Sequence, residues 1–484
     1  NQDSKVFTVG TGEDLKKGIA RRHLGLAGRV SYNWNYRYFA DFNFGYNGSE
    51  NFADGHRFGF FPAVSVAWNV AEEPIIKKNF KWMNMFKIRY SFGKVGNDVL
   101  KIGNDEYRFP YLYTIGDGTG YTWADYNYSN SYSGKRYTDL ASNYATWEIA
   151  TKHDLGVDLA LFNDKFTATV DYFHEQREGI WMERKYLPSI VGLGSNPRAN
   201  VGKVLSEGFD GNFAYREKIN KVDITVRGNI TYSKNTILEK DEENNVYPYQ
   251  MERDYRVNQA KGLIALGLFK DYDDIRNSPR QDFGTVQPGD IKYKDVNGDG
   301  IINGMDERPI GYPEGWAPIM SFGGNIGLQW KGIDLNIDLS GGAMQGWRQN
   351  YELANAYHGN GNSPVYLLED RWHRADLYDP DSEWIPGRYP AIRKGEFSYN
   401  NKNSDFWLHN VRYLRIKNLE VGYSLPAQLL RPIRAQKVRV YANVSNLCSF
   451  DNVGKFGVDP EITAAAAVVY PQQRTFLLGF NITY

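Results

Sequence analysis

Strict two-residue alternation constrains this chain more than any other feature. Leu24, Leu26, Val30, Tyr32 and Trp34 fall on one side of an extended backbone, with Arg29, Ser31 and Asn33 on the other. Tyr38, Ala40, Phe42, Phe44 and Tyr46 repeat the pattern against Asp41, Asn43 and Asn47. So do Leu155, Val157, Leu159 and Leu161 against Asp154, Gly156 and Asp158, and Ile333, Leu335, Ile337 and Leu339 against Asp334, Asn336, Asp338 and Ser340. A last stretch sets Phe476, Leu478, Phe480, Ile482 and Tyr484 against Thr475, Asn481 and Thr483. A side-chain period of two belongs to β-strands, and an apolar row opposite a polar row gives each strand one greasy and one polar face. A soluble β-sandwich meets that condition as well as a membrane barrel does. The connections separate the two.

Short turns are expected at Asn35–Arg37, Phe162–Lys165, Glu217–Asn220 and Lys331–Gly332, with a medium one at Pro426–Gln436. Between them lie long connections at Gly48–Arg57, Glu178–Leu205, Asn235–Ile319, Ala343–Asn410 and Ser449–Gln473. Short and long alternate, as in an up-and-down barrel of the outer membrane with short periplasmic turns and long external loops. A sandwich has no reason to keep that asymmetry. No run approaches the roughly 18 apolar residues of a spanning helix, Ala464–Val469 being far too short, so a membrane would be crossed by strands. Thirteen strands are expected, ending near 34, 47, 69, 96, 161, 177, 216, 234, 330, 342, 425, 448 and 484. Residues 97–151 have room for strand extensions, and a further strand near Lys5–Val9 would make fourteen. Bacterial barrels close with an even number. The odd count, and the absence of a signal peptide in Asn1–Lys5, lead to the expectation that the chain is part of a longer barrel. The closing string Gly479–Tyr484 looks like the terminal signal read by barrel-assembly machinery.

The 57 basic and 57 acidic residues balance, which argues against a nucleic-acid partner. One cysteine, Cys448, rules out an internal disulfide and a zinc site built from cysteines. Catalytic motifs are missing: His174-Glu175-Gln176-Arg177-Glu178 opens like a zincin helix but lacks the second histidine, and neither a Gly-x-Ser-x-Gly elbow nor a P-loop occurs. The chain is therefore read as no enzyme. Aromatic clusters at Tyr121–Tyr137 and Trp372–Trp384 suit sugar stacking, loop packing or a membrane interface equally, so no substrate-binding residue is assigned.

One motif carries chemistry. Residues 295–306 have calcium-loop spacing, with oxygen ligands at positions 1, 3 and 5 (Asp295, Asn297, Asp299) and Gly300 for the sharp turn at position 6. Ile301 offers its backbone carbonyl at position 7, Asn303 acts through water at position 9, and Asp306 takes position 12 in place of the usual Glu, with Glu307 next to it. Several hard oxygens folded about one point suit calcium. No helix pair flanks the loop, so a structural ion stapling the loop is expected rather than a switch. The bland alternative is an Asx-rich turn without metal.

The string Pro288–Gly300 resembles the signature of SusC-like (RagA/SusC family) TonB-dependent outer-membrane transporters of Bacteroidetes. Phe60–Trp68, Lys87–Gly93 with Gly96-Asn97, and Asn200–Lys203 leading to Glu207–Phe209 are similar in order. So are Tyr413–Leu419 with Gly422-Tyr423, Asn446-Leu447 and Asp459–Glu461. The resemblance implies a fold: the C-terminal 13 or 14 strands of a 22-stranded all-β, antiparallel, transmembrane barrel over 1–484, without the plug domain. External loops are then expected at 235–319, carrying the calcium-type motif, and at 343–410. It also implies partners: a SusD-like surface lipoprotein, TonB–ExbB–ExbD acting through a part outside this chain, outer-membrane lipid, and an oligosaccharide or peptide cargo. The expected function is energised nutrient import at the outer membrane of a Gram-negative cell. A passive porin-like barrel and a calcium-binding β-rich surface adhesin are the alternatives.

Overall fold

A computed structural model describes residues 21–123, 130–185, 190, 196–243, 247–315, 317–393, 399–430, 432, 435–461 and 472–483. The expectations at Lys5–Val9, at Ala464–Val469 and for the terminal Tyr484 lie outside the described residues. Thirteen strands form one sheet: β1 (His23–Trp34), β2 (Tyr38–Ser49), β3 (Phe58–Asn69), β4 (Met83–Asn97), β5 (Glu148–Leu161), β6 (Phe166–Glu183), β7 (Arg198–Ile219), β8 (Val222–Glu239), β9 (Met320–Trp330), β10 (Ile333–Arg348), β11 (Leu408–Ser424), β12 (Lys437–Asp451) and β13 (Thr475–Thr483). The order in the sheet is the order in the sequence, as an up-and-down meander requires. Among the described residues no helix is long and apolar enough to cross a membrane.

The sharp turns follow from local chemistry. Lys331 and Gly332 both take positive φ, +48° and +88°, as a two-residue hairpin of matching twist demands. Asn35 and Tyr36 do the same between β1 and β2, where the side-chain oxygen of Asn33 accepts from the Tyr36 N–H at 3.0 Å. The turn after β7 lies at 220–221 rather than Glu217–Asn220, because β7 keeps its ladder to Ile219. Strands also run further into the long connections than alternation indicates: β6 reaches Glu183, β7 begins at Arg198 and β10 reaches Arg348. Within 97–151 the sheet strand β5 begins at Glu148, and the described residues also form separate hairpins, Leu100–Ile102 with Asp105–Tyr107 and Thr114–Trp123 with Asn130–Asp139.

The chain divides into two compact units, Asn1–Leu159 with Asp171–Gly208 and Asn235–Asn245, and Ala160–Val170 with Phe209–Lys234 and Val246–Tyr484. In the first, Leu24, Val30 and Tyr32 of β1 are each more than 60% exposed. On the polar side, Arg89 of β4 holds Asp158 and Asp171, both at 2.8 Å. A small core of Phe52, Phe61, Leu100, Trp147 and Trp181 caps the long-loop end.

In the second unit the register carries apolar residues across strands in rows. Leu328 of β9 stands opposite Leu335, Leu335 opposite Val421, Val421 opposite Ala442, and Ala442 opposite Leu478. The row Ile326, Ile337, Leu419, Val444 and Phe476 runs beside it. Phe476 and Leu478 on the last strand are 71% and 85% exposed and Val421 is 46% exposed, so the rows face outward and demand an apolar surround. The opposite face is a polar lattice. The Asn325 amide donates to Asn336 and Asp338 at 2.8 and 2.7 Å, and the Arg439 guanidinium bridges Asp334 and Glu420. A Cβ at Gly422 would come within 2.4 Å of that guanidinium, so glycine leaves the room in which Arg439 lies across β11.

The two faces make a direct prediction. Leu335→Arg in lipid vesicles should lower unfolding stability by about 2–4 kcal/mol, while Asn336→Arg on the polar face costs little. Urea titration of the refolded barrel measures both, and equal losses would overturn the face assignment.

Candidate functional site

In the second unit, the described residues of 247–319 and 349–407 fold on each other into a small globule with its own core. Leu263, Ile291, Tyr293, Ile302, Leu367, Tyr389, Tyr399 and Trp407 are buried together. The string Pro288–Tyr293 threads through it. Gly289 has φ +87°, and a Cβ there would meet Trp372 at 2.5 Å, so glycine is needed for both conformation and space. Asp290 is fully buried. Its carboxylate accepts from the Gln287 N–H at 2.8 Å and the Asn400 amide at 3.0 Å, and pairs with Arg393. The Asn400 side-chain oxygen in turn accepts from the Ile291 N–H at 2.9 Å. The Tyr293 hydroxyl donates to the Tyr399 carbonyl, and the Tyr399 hydroxyl to the Ile291 carbonyl, each at 3.1 Å. Burial pushes both tyrosines well above the ordinary phenol range, so they stay neutral donors. The signature string is thus the fastening that ties one long connection to the other.

From this fastening the chain passes into the acidic turn. Asp295 accepts from the Gly298 and Gly300 N–H groups at 2.6 and 2.9 Å. Asn297 accepts from the Asp299 N–H at 3.0 Å, and Asp299 from the Ile301 N–H at 2.8 Å. Asn303 accepts from the Met305 N–H at 2.7 Å. Asp306, fully buried, clasps the turn by accepting from Val296 and Asn303 N–H groups at 2.8 and 2.9 Å. The Arg280 and Asp282 N–H groups take the carbonyls of Gly300 and Ile302, so strand alternation turns the Ile301 carbonyl the other way. The six residues named from spacing lie in one turn, and the side-chain oxygens of Asp295, Asn297, Asp299, Asn303 and Asp306 accept from its backbone N–H groups. Among the described residues, no three His, Cys, Asp or Glu side chains gather about one point. The turn's negative charge is felt next door: burial first, then Asp306 and its acidic neighbours, raise the Tyr249 hydroxyl above its ordinary value.

A second polar cluster was not legible from spacing. Arg415 of β11 is 3% exposed, with Asp459 at 2.6 Å and Glu461 at 3.0 Å. Glu461 also takes the Ser340 hydroxyl at 3.1 Å. The Asp459-Pro460-Glu461 string therefore pins the connection after β12 to the polar faces of β10 and β11. Elsewhere, strand alternation sends His174 and Glu175 to opposite faces. His174 lies 3.8 Å from Glu207 and Glu175 meets Lys152 at 3.0 Å, which dismantles the zincin-like string. Trp372 is buried and Trp384 stacks under Arg374, so these aromatics are packing.

No family model matches the chain. It is similar to TonB-dependent receptor P3 of Formosa agariphila, 25% identical over 488 residues, which cover 95% of this chain and 45% of that protein. It is similar to TonB-dependent receptor SusC of Bacteroides thetaiotaomicron at 24% identity, over 94% of this chain and 43% of that one. Among solved structures, the RagAB peptide transporter superposes with a TM-score of 0.69 at 19% identity, over 95% of this chain and 47% of the other. The RagAB peptide importer in its open-open state gives 0.70. The chain spans a little under half the length of the relatives it matches. The SusC-like resemblance is borne out, and the fold is that of the antiparallel wall of an outer-membrane TonB-dependent barrel.

Asp290→Ala removes the acceptor that Arg393, Asn400 and Gln287 share and deprives a largely buried guanidinium of this carboxylate. The expected cost is about 3 kcal/mol, local to the globule. Amide exchange should accelerate over 260–310 and 389–407 while the strand amides keep their protection. Unchanged exchange there would show that the fastening holds nothing.

Proposed function

We propose that this chain is the barrel part of an energised importer in the outer membrane of a Gram-negative bacterium. The observation that carries the reading is the thirteen-strand meander with an exposed apolar face and an ion-paired polar face, matched along 95% of its length by TonB-dependent receptors. Apolar residues toward lipid and charged residues toward a lumen are what a solute path needs. An oligosaccharide is the first choice of cargo and a peptide the second. A SusD-like lipoprotein covering the long-loop end, and TonB–ExbB–ExbD acting through another part of the protein, complete the proposal. No catalysis is assigned to the chain.

Uptake of labelled oligosaccharides and peptides by cells with and without the gene tests this. Gene-dependent uptake that collapses when an uncoupler removes the proton-motive force is the expected result. Gene-dependent uptake that survives the uncoupler would favour the porin-like alternative, and fractionation away from the outer membrane would favour the adhesin.

Calcium belongs to the same proposal. The residues named from spacing offer oxygen donors, and the glycines at 298 and 300 hold φ of +78° and +80° as a tight cation loop requires. Asp295, Asn297, Asp299, the Ile301 carbonyl and Asp306 would hold the ion, with Asn303 acting through water, and the ion would staple the loop. Calorimetry with calcium should give binding in the ~10⁻⁴–10⁻³ M range typical of extracellular modules, lost in Asp295→Ala. No heat with the native loop would remove the ion from the account.

A further inference from the structure

At the short-turn end of the sheet, the connection between β3 and β4 is more than a turn. It holds a 3₁₀ turn, Val70–Glu72, and a short helix, Pro74–Asn79, before β4 begins at Met83. Pro74 stands at the first helical position, where a missing N–H costs nothing, and the Phe80 N–H closes the helix on the Ile76 carbonyl at 2.8 Å.

Its neighbours place this helix. Glu73 accepts from the Tyr38 hydroxyl at 2.6 Å and from the Trp68 Nε1–H at 3.1 Å. Tyr38 stands opposite Trp34 on one side and Trp68 on the other, and Trp34 stacks on Tyr38 with ring centroids 5.7 Å apart. These three end the apolar face, whose next rows are Tyr32, Ala40 and Val66, then Val30, Phe42 and Val64. A Tyr–Trp row whose polar atoms reach a carboxylate is the aromatic girdle that marks the edge of the hydrocarbon. The helix hangs from that girdle, on the lipid side of the wall.

The side chains of the connection divide by chemistry. Ile75 is 73% exposed, Phe80 41% and Trp82 43%, and the last two stand edge to face at 6.1 Å. The acids are occupied, Glu73 by Tyr38, Trp68 and Arg37, and Glu72 by Lys77 at 2.7 Å. Lys78 and Lys81 are exposed and have no carboxylate partner among the described residues. Open apolar groups beside unspent ammonium groups are the two halves of an interfacial anchor, one for acyl chains and one for phosphate.

We infer that this connection is a lipid-binding foot. It seats Ile75, Phe80 and Trp82 in the leaflet on the short-turn side, and Lys78 and Lys81 hold the headgroup phosphate of an anionic phospholipid. Continuity with the girdle, which lipid already surrounds, favours lipid over a protein partner. Lysine suits the task because its compact charge and rotatable donors follow a mobile phosphate. The inference needs the lipid-facing wall and not the import reading.

The test uses the full-length protein, with Cys448 replaced, in nanodiscs of phosphatidylcholine with and without phosphatidylglycerol. A nitroxide at Ile75 should collide more with oxygen than with a water-soluble nickel complex, and one at Lys78 the reverse. Phosphatidylglycerol binding, read by native mass spectrometry, should weaken about tenfold or more in the double variant Lys78→Gln, Lys81→Gln. An unchanged thermal midpoint in phosphatidylcholine certifies the fold of that variant. A nickel-accessible Ile75, or phosphatidylglycerol binding that the double variant keeps, would overturn the inference. So would a label at Ile75 shielded from both colliders and broadened by a second label, which would mean that another copy of the chain covers the helix. Failure of the uptake experiment would leave these readings untouched, so the two proposals fail separately.

Discussion

Backbone hydrogen bonding between neighbouring strands is the constraint on which this structure depends. In hydrocarbon an unmet N–H or C=O costs several kcal/mol and no water is present to meet it, so every spanning strand must be laddered on both sides. The cheapest solution in chain entropy is to pair each strand with the next, and the order β1 to β13 is that solution for every strand between its two ends. Register follows from it. A slip of one residue would turn Leu335, Ile337 and Leu339 into the polar lattice and Asp334, Asn336 and Asp338 into lipid. The alternating pattern therefore fixes pairing as well as faces.

This explains which parts of the fold are legible in the sequence. Where a strand separates lipid from a polar interior, its two faces differ and the period of two is clear, as along Ile333–Leu339. Beyond the bilayer both faces meet water or packed loops, and the contrast fades. That is why β6 and β7 extend past the points at which alternation stops, and why alternation gives room for strand extensions in 97–151 without locating the hairpin of Thr114–Trp123 with Asn130–Asp139. At Ile416–Asn418 a bulge shifts the register of β11 against β12, so alternation alone misplaces the residues above it, Arg415 among them.

The candidate sites were legible unevenly for a related reason. The acidic turn announces itself because its ligands are close in sequence and its backbone needs glycine at fixed places. The Asp290–Arg393–Asn400 fastening joins residues over a hundred positions apart, and nothing in their spacing marks them. Asp290 looks like any loop acid until its full burial is seen. Likewise Arg415 has the composition of a lumen residue, yet it is enclosed by Asp459 and Glu461. In each case a buried charge with complete partners holds a long connection in one geometry. Breaking such a pair is expensive, which suits a loop that must keep its shape without a large core.

The central claim is that the two faces of this sheet meet different media. Spin labels placed one at a time along residues 333–341, with Cys448 replaced, measure it most directly. Collision rates with apolar oxygen and with a water-soluble nickel complex should each oscillate with a period of two, in opposite phase, oxygen favouring odd positions such as Leu335 and Ile337. Two profiles in phase, or a flat oxygen profile, would contradict a lipid-facing wall.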